Sequence, residues 1–139
     1  VRKPEKEVLN FFSPQNRKNI KVIPYIPHRE LIALYKQHKI FIFPTLFEGF
    51  GSVFLEAMAG GMAVITTQEG GMYDIIKDGK NGIFIKRHSW KDIFQKVKYL
   101  LENERVRKEI ALAGYHTAKN YIYSKIGTET LKVYLSILR

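Results

Sequence analysis

Two apolar runs, KIFIF at 39–43 and MAVIT at 62–66, are separated by one loop and one stretch with helical patterning, SVFLEAMAG at 52–60. Neither run alternates apolar with polar residues, which is how a strand covered on both faces reads. Two such strands joined through a helix pair in parallel, because an antiparallel pair needs only a tight turn. This unit predicts an α/β fold, a Rossmann-like parallel sheet with helices on both faces. KIFIF and MAVIT are expected to be parallel neighbours, with the helix over 52–60 as a right-handed crossover.

The remaining chain extends this pattern. PEKEVLNFF reads as a helix end stopped by Ser13-Pro14. IKVIPYIP at 20–27 reads as a short β-run closed by prolines, which lack a ladder donor. From His28 the spacing of Leu31, Ile32, Leu34 and Tyr35 predicts an amphipathic helix. After MAVIT come the loop QEGG, a short helix MYDIIKDG and a short strand GIFIK. Three helices, over 89–103, 105–121 and 124–138, close the chain. Ser89 and Ser124 suit N-caps, and Gly114 is a weak point in the second helix. We read residues 1–139 as a single domain.

Composition narrows the class of protein. With 45% hydrophobic and 26% charged residues the chain is typical of globular proteins. No apolar run approaches the ~20 residues of a membrane span, and the first residues lack a signal-peptide core. The absence of cysteine excludes disulfides and thiolate metal sites. A cytoplasmic placement is expected. A net charge of +10 favours anionic partners, so peripheral contact with an anionic membrane is also expected. The four histidines are scattered without ligand spacing, and no metal cofactor is expected.

In doubly wound sheets, ligands bind beyond the carboxyl ends of the strands. The loop after KIFIF holds Glu48-Gly49-Phe50-Gly51-Ser52, and a helix begins at once. Such a glycine-rich entry into a helix is equally a phosphate cradle and a plain connection. From Val53 to Ile65 the sole polar side chain is Glu56. A carboxylate in so apolar a helix either lies on a solvated stripe or accepts hydrogen bonds from ligand hydroxyls.

The spacing Glu48-x7-Glu56 within PTLFEGFGSVFLEAMAGGMAVITT resembles the signature of retaining nucleotide-sugar glycosyltransferases of the GT-B fold, family 4 (glycosyl transferases group 1). IPYIPHRELIALYKQHKIFIFPT before it and EGGMYDIIKDGKNGIFIK after it extend the resemblance over most of the chain. The resemblance implies donor binding by a C-terminal GT-B domain. Glu48 would face the donor sugar as the catalytic carboxylate, and Glu56 would hold the ribose hydroxyls. The amides of Phe50, Gly51 and Ser52, with Gly49 and Thr45 in the same loop, would meet sugar and phosphate. Tyr25 and Ile26 would border the base.

Departures from the family pattern are specific. Pro24 stands where glycine is usual, Asp74 where glutamate is, and Thr45 where serine is common. The G-R and K-G elements that supply the arginine and lysine for the diphosphate do not occur. The chain is expected to start partway into the donor domain, without the N-terminal acceptor domain. The resemblance implies a nucleotide-sugar donor and an acceptor sugar, lipid or polysaccharide precursor. An isolated chain of this length is expected to transfer no sugar. A catalytically inactive nucleotide-binding module is the alternative. A basic nucleic-acid-binding domain is a weaker one: the aromatic residues sit mostly in apolar runs, and no nucleic-acid signature is visible.

Overall fold

The computed structural model describes residues 4–138. The chain divides into two compact units, residues 1–31 and 32–139. In the first, α1 (Glu5–Leu9) and α2 (Pro14–Arg17) are short helices without buried residues. Pro14 opens α2, at a position where the missing N–H costs nothing. Residues 20–27 form no strand, contrary to the reading of IKVIPYIP. Val22 and Ile26 are half-buried, but the three residues between them are exposed, so the period-2 burial of a strand is missing. The ladder is missing too, and Pro24 and Pro27 remove two of its donors. α3 (His28–Gln37) starts where expected, with the Pro27 carbonyl accepting from the Glu30 and Leu31 amides.

The second unit is built on a parallel sheet of β1 (Ile40–Phe43), β2 (Ala63–Thr66) and β3 (Ile83–Phe84), in the order β1-β2-β3. Ile40 to Phe43 lie opposite Ala63 to Thr66, so KIFIF and MAVIT are the parallel neighbours expected. α4 (Ser52–Ala59) connects them, and α5 (Gly71–Ile75) leads toward β3. Then follow α6 (Trp90–Glu102), α7 (Glu104–Ala118), a 3-10 turn over Lys119–Tyr121 and α8 (Tyr123–Ile137). Among the described residues no helix is long and apolar enough to cross a membrane.

β2 is wholly buried and is the centre of the sheet. Ala63 and Ile65 share one face, and with Ile83, Ile85, Leu100 of α6 and Ile110 of α7 they form an apolar cluster. Val64, on the opposite face, is buried too. Two-sided burial therefore holds for β2 but fails for β1, where Ile42 is 42% exposed. β1 lies at the edge of the sheet, and the Ile42 side chain is left open there.

Caps follow the sequence reading in one case of two. The Ser89 hydroxyl accepts the Asp92 amide at 3.2 Å and caps α6. Ser124 caps nothing; α8 begins one residue earlier, behind Ile122, with no side-chain cap.

Candidate functional site

β1 ends at Pro44, which cannot continue a ladder. The loop that follows is fixed from beneath by two consecutive threonines at the end of β2. Thr66 donates its hydroxyl to the Phe43 carbonyl at 2.8 Å, and Thr67 donates to the Thr45 carbonyl. Both threonines are fully buried, so their hydroxyls must be paired, and pairing them aligns the carboxyl ends of β1 and β2. Thr45 in turn donates to the Phe47 carbonyl at 2.8 Å, turning the chain toward Glu48.

Glu48 folds back on the loop, its Oε1 accepting the Gly49 amide at 3.1 Å. Gly51 caps α4 in the left-handed region, at φ 76°, where a side chain is strained. A Cβ there would meet Glu48 Cγ at 2.8 Å, so the bare backbone of Gly51 leaves room for the carboxylate. No side chain caps α4. Its first amides and the positive end of its dipole suit an anion.

The QEGG loop lies against this turn. Gly71 donates its amide to the Gly49 carbonyl at 3.1 Å. A Cβ on Gly70 would lie 2.0 Å from the Gly49 carbonyl oxygen, and one on Gly71 would lie 2.7 Å from that of Phe50. Only glycine permits this backbone-to-backbone approach. Thr66, Thr67, Gly70 and Gly71 were missing from the residues singled out by sequence. The signals were present: two hydroxyls ending an all-apolar strand, and a glycine doublet in the next loop.

Glu48, Gly49, Phe50, Gly51 and Ser52 thus form one continuous turn, with Thr45 in the same loop. Glu56 sits farther along α4 and is half-buried, between the fully buried Phe54 and Ala57–Met58 of the same helix. Its charge is felt at Tyr35, a buried residue with 7% of its surface exposed. Burial first, and the Glu56 carboxylate second, hold the Tyr35 pKa above its ordinary value of 10.0. Tyr25 and Ile26 belong to the first unit, where Tyr25 is exposed and Ile26 half-buried. Among the described residues no group of three or more His, Asp or Glu is placed to hold a metal.

Comparison with known proteins shows what the chain is similar to. Residues 9–117 match the family Glycosyl transferases group 1. An uncharacterised glycosyltransferase of Methanocaldococcus jannaschii is 30% identical over 129 residues, 93% of this chain and 37% of that protein. The solved C-terminal domain of a glycosyl transferase group 1 family protein from Francisella tularensis superposes with a TM-score of 0.65 at 33% identity. That match covers 73% of this chain and 51% of the other. An Anabaena protein solved with UDP-glucose has a TM-score of 0.69 at 20% identity, over 74% of this chain and 29% of its own, a likeness of fold alone. The chain spans only 37% of the length of its archaeal relative.

Proposed function

The chain belongs to the glycosyl transferases group 1 family, and on that premise we propose that it forms the donor-binding part of a retaining GT-B enzyme. That enzyme moves a sugar from a nucleotide-diphosphate sugar to an acceptor. The observation that carries the proposal is the turn at Glu48–Ser52: a carboxylate folded onto a glycine amide beside an uncapped helix start. Glycines at 51, 70 and 71 leave the backbone bare around it.

In this reading the amides of Phe50, Gly51 and Ser52 receive the phosphate nearest the sugar. Glu48 orients the sugar ring by accepting from its hydroxyls, and Glu56 accepts from the ribose. Thr45 shapes the loop through its own hydrogen bond. As the glycosidic bond breaks, the electron pair leaves with the diphosphate. The transition state then needs stabilisation of separating charge more than a strong base. The start of α4 favours the leaving anion, and no metal is required for that role. The solved Anabaena relative holds UDP-glucose, which makes uridine nucleotides the first probes.

Titration of the 139-residue chain with UDP, GDP and ADP, followed by NMR, tests this. Binding near the millimolar range, about −4 kcal/mol, is expected. Shifts should centre on residues 45–56. Glu56→Gln keeps the shape and removes the charge, at a cost of about 1.5–3 kcal/mol, a weakening of roughly ten- to 150-fold. Shifts that avoid residues 45–56 would refute the site. A transfer assay on the same chain is expected to show no turnover, because orientation by an acceptor-binding partner is worth up to ~7–11 kcal/mol of barrier. Robust turnover would overturn the donor-part reading in favour of a complete enzyme.

A further inference from the structure

Arg87 lies just beyond β3, outside the residues assigned above. Its Nη2 donates to the Leu46 carbonyl at 2.6 Å, two residues before Glu48. Its Nε lies 3.1 Å from Glu69 Oε1. Glu69 directly precedes Gly70 and Gly71, which press on the Gly49 and Phe50 backbone from the other side. The contacts close a ring: Leu46 to Arg87, Arg87 to Glu69, Glu69 along the chain to Gly71, and Gly71 to the Gly49 carbonyl. Within that ring lies Glu48.

A pair at a protein surface is ordinarily worth little, and the Arg87 side chain is 56% exposed. Two features set this pair apart. Glu69 is only 19% exposed, so one end of the bridge is held in place. The arginine also joins two loops, at Leu46 and at Glu69, from a position 41 residues beyond the first, through different nitrogens of one rigid fork. A lysine, with a single nitrogen on a flexible stem, does not hold both partners in that geometry.

We infer that Arg87 and Glu69 are positioning residues that preset the Glu48 turn before donor arrives. The inference rests on the donor-site reading of that turn. Neither side chain needs to touch substrate. The pair makes the loop's conformation a property of the folded chain, so less ordering is left to be done on binding.

The test uses the 139-residue chain and its variants Arg87→Ala, Arg87→Lys and Glu69→Gln. Hydrogen exchange without ligand reads the loop directly, through the Gly71 amide that the Gly49 carbonyl protects. Arg87→Ala is expected to speed exchange at Gly71 by about three- to tenfold, the scale of one charge-assisted hydrogen bond at a half-exposed site. Amides of β2 and α7, and the thermal midpoint, should stay as they were. Arg87→Lys should recover only part of the protection, and Glu69→Gln should fall between lysine and wild type. Nucleotide affinity, titrated with UDP, GDP and ADP, should fall in the same order.

Unchanged exchange at Gly71 would overturn the inference, as would a uniform rise across the unit, which marks general stability instead. Faster loop exchange with unchanged nucleotide affinity would overturn the positioning role. If wild type binds none of the three nucleotides, the donor-site reading fails by itself, and Gly71 exchange still decides whether the ring holds the loop.

Discussion

Glu56 and Tyr35 make the clearest residue-scale test, because one reports on the other. The Tyr35 phenol is raised by burial and then by the Glu56 carboxylate. A raised phenol favours the neutral, protonated form in the fold. Its contribution to stability is therefore complete below pH 10 and is lost as pH climbs through the higher folded value. We expect a tyrosine titrating above the ordinary value in a near-ultraviolet absorbance titration, assigned to Tyr35 by its loss in Tyr35→Phe. Glu56→Gln should lower that midpoint by removing the second cause, while burial keeps it above the ordinary value. An unchanged midpoint would separate the two groups. Sequence singled out Glu56 as an anomaly in an apolar helix, yet its tyrosine neighbour was invisible there. That pairing depends on α3 packing against α4, where a Cβ on Gly60 would meet Tyr35 Cβ at 2.6 Å.

At the scale of elements, β2 and α4 were legible because their whole sequence is apolar or glycine-bounded and admits one reading. β1 was half-legible: its composition was right for a strand, but its burial depends on what packs over each face, which composition does not state. IKVIPYIP failed because apolar composition does not supply a ladder, and Pro24 and Pro27 withhold two of its donors. Gly114 reverses its sequence meaning. It reads as a weak point in α7, whereas in the fold it is buried where α7 meets Met58 of α4 and the Asn81 carbonyl. Gly114→Ala should gain up to ~1 kcal/mol of helix propensity. Against that, the new Cβ would sit 3.1 Å from the Asn81 carbonyl oxygen and 3.2 Å from Met58 Cγ. Asn81 has little freedom to yield. Its side chain accepts from the Lys77 amide and donates to the Ile75 carbonyl and the Thr117 hydroxyl. Overpacking of about 1–3 kcal/mol should win. A net loss of roughly 1 kcal/mol is the expected result in urea unfolding, and a gain would show that the contact relaxes.

Across the second unit as a whole, buried residues belong to the sheet, α3 to α7 and the strand ends, and α8 has none. Lys125, Glu129, Lys132 and Ser136 share one side of α8. Tyr123, Ile126, Tyr134 and Ile137 share the other and are exposed as well. A helix of this length with no buried residue among those described is marginal in water. Deleting residues 123–139 is expected to change the unfolding free energy of the remainder by less than about 1 kcal/mol. Loss of the cooperative urea transition in the truncated chain would contradict that expectation. Sequence foresaw a closing helix but not its isolation, because an apolar stripe states what a helix can bury and says nothing of what is there to cover it. The α/β class and the Glu48 turn were readable from spacing, whereas the ring around that turn joins residues 41 apart and had no local signal.

The contact between the QEGG loop and the Glu48 turn also bears on how such a sequence can vary over generations. Gly49, inside the recognisable motif, has open space where a side chain would go. Gly70, outside it, has the carbonyl oxygens of Gly49 and Glu48 within 2.5 Å of that position and a φ of +50°. The fold itself thus constrains a glycine one strand away more tightly than the motif's own first glycine. The residue that marks the site to a reader and the residue that the backbone cannot give up are different ones.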